Sequence, residues 1–370
     1  MKAEKKDPPK TLQDLMKRID KDFGPGTIMR GRSSIVNVSI VPTGIPSIDK
    51  ALGAGGVPIG RTLEIFGPES SGMTTTCLHI ASAFQKHFFK LKERNGVVAY
   101  IDAEHALDIE WARRLGVDTE TLCISQPDSG EDAFRLIEVL VESGQVDLVV
   151  VDSVAALIPK AILEEDIGKA TMGALAQLMS KALSKLKGKC NNSGTTLIFV
   201  NQLREKVGMV FGNPEVTPGG RALKYYASVR AEIKRSTAIK SSDDTVIGHH
   251  TTMKIVKNKV AAPFRVAEFD IFYGTKSYPI AGIDAVSSLL DVGLDVGVIS
   301  KSGSFFSYDG KNLGNGAQNA SKALRNDEIL YKKIKDEIYL KAFGPDFGLI
   351  KVDDELDDKY LDDEEDPNGK

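Results

Sequence analysis

The chain has 370 residues, of which 42% are apolar and 27% are charged, as in an ordinary globular protein of about one to three domains. A formal net charge of -3 excludes a chain that is basic overall, so any surface for nucleic acid must be local. Three cysteines without pairing or metal-ligand spacing, a start without a signal-like apolar run and the absence of an apolar run of roughly 20 residues predict a cytoplasmic protein with free thiols and no membrane contact.

The first predicted element is an amphipathic helix over residues 11–20, with apolar residues at positions 12, 15, 16 and 19. Thr11 and Asp14 resemble a capping box, and the Gly-Pro-Gly run at 24–26 ends the helix. A single helix has no core of its own. It therefore docks either on its own chain or on another subunit.

The central part of the chain alternates apolar runs with helical segments. Residues 41–66 read as strands and glycine turns, and a helix is expected at 75–89 that runs on through 94. Further strands are predicted at 97–102, 148–152 and 195–201, and further helices at 133–142 and 172–186. Continuous apolar runs are typical of parallel strands that are covered on both faces, so the sequence predicts an α/β fold with a mostly parallel sheet.

A glycine-rich stretch between the strand at 62–66 and the following helix fits the phosphate-loop pattern G-x-x-x-x-G-K-[ST], except that Met73 replaces the lysine. The backbone N–H groups of such a loop and the helix N-terminus together attract phosphate. The predicted nucleotide-binding residues of this stretch are Gly67, Pro68, Glu69, Ser70, Ser71, Gly72, Met73, Thr74 and Thr75.

Polar side chains follow the predicted parallel strands, at the edge of the sheet where ligands gather. Asp152 is expected to support Mg²⁺ together with the Thr74 hydroxyl, although it also reads as a helix cap because Ser153 follows it. Glu104 is placed to orient or deprotonate an attacking water. Trp111, the only tryptophan, reads by itself as a core residue, as lone aromatics near a site usually do.

A polar, glycine-bearing segment covers residues 201–220, and its only charges besides Glu205 and Glu215 are basic. Segments this long are uncommon unless they are functional or disordered. It begins at a strand end beside the nucleotide site, which suits a loop that binds an anionic polymer and responds to the nucleotide. Residues 164–172 form a shorter and more acidic segment of the same kind.

The last third of the chain changes character. Residues 230–273 are rich in predicted strands with a polar turn at 241–244, and a smaller unit follows with helices at 283–291 and 328–343 and an aromatic hairpin at 305–311. The acidic end repels itself and is expected to be disordered. It serves either as a solubilising tail or as a competitor of DNA for a basic surface.

Several strings resemble the bacterial RecA recombinase family, over roughly residues 11–347. They are, in order, TGIPSID (43–49), ALGAGG (51–56), GPESSG (67–72), IDAEHALD (101–108), VDSVAAL (151–157), FGNPE (211–215), ALKYYASVR (222–230) and KNK (257–259). The resemblance implies a RecA-like P-loop NTPase core at 38–278. It also implies an N-terminal oligomerisation helix within 1–37 and a small α+β C-terminal domain at 279–347, followed by the acidic tail at 348–370.

The activity that the resemblance implies is recombination. RecA-like proteins form a helical filament of identical subunits on single-stranded DNA with ATP between subunits, pair that strand with homologous double-stranded DNA and exchange strands. They also stimulate self-cleavage of the LexA-type repressor, which begins the SOS response. ATP and Mg²⁺ are the expected cofactors.

By position, the resemblance assigns residues to the nucleotide site and to the switch that senses the bound nucleotide. Glu104 resembles the residue that activates water, and Gln202 the switch that senses the γ-phosphate. Lys257 and Lys259 resemble lysines that reach the nucleotide of the neighbouring subunit. The adenine pocket is expected from Asp108, Trp111 and Tyr273.

The resemblance also implies surfaces for DNA and for the next subunit. The expected DNA-binding residues are Lys169, Met172, Gly173, Arg204, Lys206, Gly219, Gly220 and Arg221. The expected interface residues are Lys224, Tyr225 and Arg230, and the N-terminal helix is expected to dock on the next subunit.

The chain departs from the family pattern at several places. Met73 removes a positive charge, which puts hydrolysis in more doubt than ATP binding. Trp111 replaces a usual Tyr, Gln177 replaces a frequent Arg, and residues 87–94 extend the helix after the phosphate loop. Two alternative functions therefore remain open. One is a filament subunit that does not hydrolyse ATP, and the other is a hexameric helicase motor, which the long matching strings disfavour.

Overall fold

The structure is a computed structural model that describes residues 11–24, 27–28, 38–92, 94–164, 173–205, 215–276 and 278–344. The chain divides into two compact units, Met1–Ser39 and Ile40–Lys370. The described helix of the first unit is α1 (Leu12–Phe23). Its predicted capping box is confirmed, because the Thr11 hydroxyl accepts from the Asp14 N–H at 3.1 Å and the Asp14 carboxylate accepts from the Thr11 N–H at 3.2 Å.

The second unit contains the remaining described helices. They are α2 (Pro46–Leu52), α3 (Met73–Lys92), α4 (Ile109–Arg114), α5 (Gly130–Glu142), α6 (Lys160–Leu163), α7 (Ala174–Ser193), α8 (Ala222–Tyr226), α9 (Ala285–Asp295), α10 (Ala317–Asn326) and α11 (Glu328–Phe343). A short 3₁₀ turn, Val154–Ala156, follows the strand that ends at Asp152. None of the helices among the described residues is long and apolar enough to cross a membrane.

The described strands of the second unit belong to one large sheet and three small ones. They are β1 (Ile40–Val41), β2 (Val57–Pro58), β3 (Thr62–Gly67), β4 (Val98–Asp102), β5 (Cys123–Ser125), β6 (Leu148–Asp152), β7 (Thr196–Gln202), β8 (Arg204–Glu205), β9 (Glu215–Val216), β10 (Val229–Lys240), β11 (Val246–Asn258), β12 (Val266–Tyr273), β13 (Ala281–Ile283), β14 (Ile299–Ser302), β15 (Phe305–Tyr308) and β16 (Lys311–Asn315).

The large sheet has the order β13-β12-β11-β10-β3-β7-β6-β4-β5. Every pair from β10 to β5 is parallel, and the pairs from β10 to β13 are antiparallel. The mostly parallel central sheet predicted from the apolar runs is therefore confirmed. The strands predicted at 62–66, 97–102, 148–152 and 195–201 are β3, β4, β6 and β7, each within one residue of its predicted ends.

Apolar side chains cover both faces of this sheet. One buried cluster joins α3 to one face and contains Tyr100 and Val150, and another joins α5 and α7 to the opposite face and contains Ile101 and Val151. Successive residues of a strand point to opposite faces, so an uninterrupted apolar run is required here. The burial of both faces leaves the strand ends as the place for polar chemistry.

The prediction of only strands and glycine turns at 41–66 was wrong, because α2 lies within that stretch. Pro46 occupies the first turn, where its missing N–H costs no hydrogen bond. Asp49 of this helix accepts from the backbone N–H and the hydroxyl of Thr43, both at 2.8 Å. The helix is only seven residues long, which gives too few turns for a clear helical period in the sequence.

The long helix after the phosphate loop is confirmed, and it begins at Met73, two residues earlier than expected. Its last turns are fixed by Phe88, which is buried and packs 6.2 Å from the Phe84 ring. Arg94, just beyond the helix, binds Asp147 through two hydrogen bonds of 2.7 and 2.9 Å. The extension thus has its own anchor on the core.

The C-terminal region has a separate buried cluster formed by α9, α10, α11 and the sheet β14-β15-β16. The aromatic hairpin at 305–311 and the helix at 328–343 are confirmed. The helix predicted at 283–291 was partly wrong, because Ile283 ends the edge strand β13 and the helix begins only at Ala285. Asp284 caps that helix and separates the two elements. Contacts that join α11 and α9 to α2 include the Tyr339 hydroxyl, which donates to Asp49 at 2.6 Å, and the Ser47 N–H, which donates to Ser288 at 2.8 Å.

Candidate nucleotide site and its surroundings

The phosphate loop connects β3 to α3, as the sequence predicts. Both of its glycines are required by space. A Cβ at Gly67 would lie 2.1 Å from the Ile233 carbonyl oxygen, and one at Gly72 would lie 2.3 Å from Ile271 Cδ1. The φ angle of Gly72 is also positive, at 96°. The loop therefore packs against strands β10 and β12, with the start of α3 behind it.

Asp152 and Thr74 meet at the ends of β6 and α3. The Thr74 hydroxyl donates to Asp152 Oδ2 at 2.7 Å, and the Tyr100 hydroxyl donates to the same oxygen at 2.7 Å. Burial raises the pKa of the Asp152 carboxyl, while these two hydrogen bonds act in the opposite direction. The alternative prediction, that Asp152 is only a helix cap, is not supported by these contacts, because Asp152 Oδ2 faces Thr74 at the end of the phosphate loop.

Glu104 and Gln202 meet beside this pair. The Gln202 side-chain amide donates to Glu104 Oε1 at 3.1 Å, and the Ser153 hydroxyl donates to the same oxygen. Glu104 follows β4 and Gln202 ends β7, so the parallel strands bring residues far apart in sequence to one edge. Glu104 is exposed, as a group that acts on water must be.

Asp102 was missed by the sequence analysis. It is buried, and its carboxylate accepts from the N–H groups of Ala106 and Leu107 at 3.1 and 3.2 Å and from Gln126 at 2.9 Å. These bonds fix the turn that carries Glu104. A charged residue as the last member of an apolar strand is the signal that could have identified it.

Two of the predicted adenine-pocket residues line this cleft. Trp111 donates from its indole N–H to the Thr75 hydroxyl at 3.3 Å, and Tyr273 lines the cleft from β12. Asp108 caps α4, because its side chain accepts from the Trp111 N–H at 2.9 Å. Among the described residues that line the cleft, Trp111 and Tyr273 are present, whereas Asp108 is not. The half-buried Trp111 is held partly by a polar contact, so it is not an ordinary core residue.

These groups line one cleft of about 270 Å³. The lining residues are Glu69, Ser70, Gly72, Met73, Thr74, Thr75, Glu104, Trp111, Asp152, Val200, Gln202, His249, Ile271 and Tyr273. Three other residues of the phosphate loop do not line the cleft: Gly67, Pro68 and Ser71. Met73 is only 7% exposed and belongs to the apolar cluster beneath the loop. It offers the cleft neither a hydrogen-bond donor nor a charge.

The residues present fit a nucleotide with Mg²⁺. Thr74 and Asp152 line the cleft, and their side-chain oxygens lie 2.7 Å apart. Thr74 and Asp152 together would hold Mg²⁺, which commonly takes one or two protein oxygens and completes its shell with phosphate and water. Within the described part of the chain no group of three or more acidic, His or Cys side chains forms a preassembled metal site.

Lys257 lies near the end of β11 and Lys259 directly follows that strand, and neither lines this cleft. Lys257 Nζ donates to the backbone oxygens of Lys224 and Tyr225 at 2.6 and 3.1 Å, and Lys259 Nζ lies 3.5 Å from the Tyr225 oxygen. They cap the C-terminal end of α8, where a cation is favoured. Burial lowers the pKa of Lys257, and the charges of Lys259 and Arg230 lower it further. The described residues that line the cleft include neither lysine.

The predicted interface residues surround these lysines. Tyr225 is 65% exposed, and Lys224 is also exposed. Arg230 pairs with the fully buried Glu64, and its guanidinium lies 4.5 Å from the centre of the Phe66 ring. The structure therefore places the two lysines and the three predicted interface residues in one region beside α8.

The two predicted DNA-binding segments have ends that lie close together. A Cβ at Gly220 would lie 2.8 Å from Ala176 Cβ on α7, and one at Gly219 would lie 3.1 Å from Met179 Cγ. Both glycines have positive φ, 82° and 72° respectively. Helix α7 begins directly after Gly173, so the end of the second segment packs on the helix that follows the first.

The start of the second segment is connected to the nucleotide site. Arg204 follows Gln202 by two residues, is exposed, and pairs with Val216 where β8 meets β9. Arg221 is also exposed, at the start of α8. The predicted residues Lys169, Met172 and Lys206 lie outside the described residues. The acidic tail at 348–370 lies outside them as well.

The structure also identifies residues that the sequence analysis missed. Tyr100 and Ser153 contact the two acidic groups of the cleft, and His249 lines the cleft from β11. Each lies on a strand or strand end whose side-chain direction depends on the sheet. A signal in the sequence was present only for Ser153, which directly follows the strand ending at Asp152.

Comparison with known proteins agrees with this architecture. The family model described as the RecA N-terminal domain matches residues 10–277, and that described as the RecA C-terminal domain matches residues 287–342. Curated proteins named Protein RecA are similar along most of the chain. That of Mycolicibacterium smegmatis is 50% identical over 338 residues, which cover 90% of this chain and 93% of the relative.

Two further relatives show the same extent of similarity. Protein RecA of Mycobacterium avium is 48% identical over 357 residues, which cover 95% of this chain and 96% of the relative. Protein RecA of Desulforapulum autotrophicum is 48% identical over 337 residues, which cover 91% and 93%. The family models, the relatives and the cleft built around the phosphate loop lead to one conclusion: the chain belongs to the RecA family of recombinases.

Proposed function

We propose that this RecA-family recombinase is a DNA-dependent ATPase that forms an ATP-dependent filament on single-stranded DNA and catalyses homologous pairing and strand exchange with double-stranded DNA. The family comprises ATP- and DNA-binding proteins of recombination, DNA repair and the SOS response, and its members are DNA-dependent ATPases. In this proposal the filament also promotes self-cleavage of a LexA-type repressor. ATP with Mg²⁺ is the cofactor.

One observation carries the proposal: the Thr74–Asp152 pair and the Glu104–Gln202 pair lie in the same cleft, at the mouth of the phosphate loop. A site that only binds a nucleotide has no chemical need for an exposed carboxylate held beside the phosphates. A site that hydrolyses it requires such a group to orient or deprotonate water.

In this proposal several residues at the cleft have specific roles. Bound ATP and Mg²⁺ supply a phosphoryl group and neutralise part of its charge. The loop from Gly67 to Gly72 presents backbone N–H groups to phosphate oxygens, and Glu104 accepts the proton of the attacking water. Ser153 and Gln202 orient the Glu104 carboxylate through their hydrogen bonds to Oε1.

In this proposal Gln202 also couples ATP hydrolysis to DNA binding. It ends β7, and Arg204 begins β8 two residues later, so a shift of Gln202 toward a phosphate is transmitted directly to the second DNA-binding segment. Lys257 and Lys259, which lie outside the cleft of their own subunit, are proposed to reach the nucleotide of the neighbour.

Met73 favours a second candidate function, a filament subunit that binds DNA and ATP but does not turn ATP over. The usual lysine stabilises charge on the transferred phosphoryl group, and Met73 has no charge to offer. The two candidates share their fold and their ligands, and they differ only in hydrolysis.

The experiment that tests the proposal measures ATP binding and ATP hydrolysis by the full chain, with and without single-stranded DNA. Binding with DNA-stimulated turnover is the expected result. Binding without turnover would instead establish the second candidate. Failure to bind ATP in either condition would contradict both and leave a DNA-binding subunit.

A further inference from the structure

His249 lines the nucleotide cleft but belongs neither to the phosphate loop nor to the acidic residues of the site. The proposed function therefore gives it no role. It lies on β11 and is 5% exposed. Its Nδ1 lies 3.0 Å from the hydroxyl oxygen of Tyr273, and the two rings have their centres 5.6 Å apart. In the sheet His249 pairs with Ile271, so Tyr273 is its diagonal neighbour on the adjacent strand.

The other ring nitrogen of His249 is in an unusual position. Nε2 is buried and has no hydrogen-bond partner among the described residues. It lies 3.9 Å from the place that a Cβ would occupy at Gly72, in the phosphate loop. Buried polar atoms are nearly always hydrogen-bonded in folded proteins, so an unpaired one beside a ligand cleft indicates a partner from outside the chain.

The chemistry of the ring decides what kind of partner this is. Burial lowers the pKa of His249, and the nearby charges of Arg235 and His250 lower it further, so the neutral form of the ring is favoured. A neutral imidazole has one donor and one acceptor nitrogen. If the Tyr273 hydroxyl donates to Nδ1, the proton lies on Nε2, which then requires an acceptor. A nucleotide is rich in acceptor oxygens and selects this tautomer.

We infer that His249 is a specificity-determining residue of the nucleotide site, in which Tyr273 holds Nδ1 and Nε2 donates a hydrogen bond to an acceptor of the bound adenine nucleotide. This inference rests on the proposed function, because it requires ATP as the ligand of the cleft. It assigns a binding role to a side chain that lies between the Tyr273 ring and the phosphate loop. It also supplies a donor to a cleft in which Met73 provides none.

The test uses two amides that each replace one ring nitrogen. In H249Q the side-chain amide reaches the position of Nε2, and in H249N it reaches only the position of Nδ1. The matched control is H250N, because His250 is the next residue, faces away from the cleft and pairs with Asp270. The dissociation constant for ATP with Mg²⁺ is measured for each full-length protein from the fluorescence of Trp111, the only tryptophan.

We expect H249N to bind ATP roughly tenfold more weakly than the wild type, the loss of about one good hydrogen bond. H249Q is expected to stay within about threefold of the wild type, and H250N to match it. A thermal melt of each variant identifies loss of folding, and rescue by Gln but not by Asn distinguishes ligand contact from packing. Wild-type affinity in H249N, or equal losses in H249N and H249Q, would overturn the inference.

A second readout follows the ring directly. In protein labelled with ¹⁵N histidine, the five imidazoles give separate signals, and H249Q identifies that of His249. ATP is expected to shift the Nε2 signal while the ring stays neutral with its proton on Nε2. An Nε2 signal that ATP leaves unchanged would also overturn the inference. If the wild type does not bind ATP, the proposed function itself fails, and the inference fails with it.

Discussion

Met73 stands where the phosphate-loop pattern has its lysine. It takes the place of a flexible cation and is instead buried in the apolar cluster under the phosphate loop. A unit charge about 4 Å from a phosphate oxygen contributes roughly 4 kcal/mol at an effective dielectric constant near 20. Taken wholly as transition-state stabilisation, that corresponds to about three orders of magnitude in rate, which is an upper bound.

Restoring the charge is therefore expected to raise turnover. We predict that M73K increases DNA-stimulated ATP hydrolysis at least tenfold, because the lysine stabilises charge on the transferred phosphoryl group. The control is M73Q, which adds a hydrogen-bond donor of similar length without a charge. Steady-state hydrolysis by the three proteins measures the effect. An equal rate in M73K and the wild type would show that this position no longer governs turnover.

Among the elements, α3 is a helix of 20 residues that begins at the phosphate loop. Its last turns run beyond the phosphate loop to Lys92, and Phe88 fixes them to the core. The Arg94 guanidinium lies 5.4 Å from the centre of the Phe88 ring while it binds Asp147. A buried aromatic ring and a half-buried ion pair together hold the extension in place.

Two neighbouring phenylalanines test this account. We predict that F88A lowers the free energy of unfolding by about 3 kcal/mol, because it removes a buried aromatic side chain and leaves a cavity. F89A serves as the control, since Phe89 is 59% exposed, and it is expected to change stability by no more than about 0.5 kcal/mol. Urea denaturation followed by circular dichroism measures both. Equal effects of the two substitutions would contradict the assignment of Phe88 as the anchor.

The contact between α2 and α11 depends on a buried carboxyl group. Asp49 is 0% exposed and accepts from Thr43 and from the Tyr339 hydroxyl of the C-terminal region. Burial raises the pKa of Asp49 from its ordinary value near 3.8 to about 6, although these hydrogen bonds act against the shift. The folded chain therefore holds this proton more tightly than the unfolded chain does.

The sign of the pH dependence follows from that difference. Between pH 3.8 and about 6 the folded state binds more protons at Asp49, so the contribution of this residue to stability is lost as the pH rises through that range. We predict that the free energy of unfolding of the wild type, relative to D49N, falls by at least about 1 kcal/mol between pH 4.5 and 7.5. The control is D295N, at an exposed carboxylate that pairs with Lys50. A constant difference between wild type and D49N across this range would contradict a raised pKa.

At the scale of the whole molecule, the nucleotide cleft and the lysine-bearing surface are separate parts of one protomer. The cleft contains Glu104, whereas Lys257 and Lys259 bind the end of α8 elsewhere on the surface. A head-to-tail assembly brings such unlike surfaces together at every contact, and it forms an open filament when the rotation does not close. In the proposed filament, each complete site would take residues from two copies.

Mixing two inactive variants tests this arrangement. We predict that E104Q and the double variant K257A/K259A each lack ATP hydrolysis, and that an equal mixture regains activity. About one contact in four in the mixture joins an intact Glu104 to intact lysines of the next copy. Hydrolysis is measured for each protein alone and for the mixture, on single-stranded DNA. A mixture as inactive as its components would place the lysines with the Glu104 of their own subunit.

The sequence by itself determined the layered α/β class, the central parallel strands and the position of the phosphate loop. Apolar runs and glycine spacing are local, and they specify burial on both faces and a turn without side chains wherever they occur. Residues that end these strands, such as Glu104, Asp152 and Gln202, were also predictable, because parallel strands share one carboxyl edge.

Only the tertiary structure decided which side chains meet at that edge. Strand order and register decide three of these contacts: Tyr100 with Asp152, Asp102 with the turn after β4, and His249 with Tyr273. A shift of register by one residue would turn each of these side chains to the other face of the sheet. Short elements such as α2 also required it, because seven residues held by a cap and by contacts with α9 and α11 carry too little periodicity to be identified alone. Local patterns thus specified the framework, and long-range pairing assembled the site.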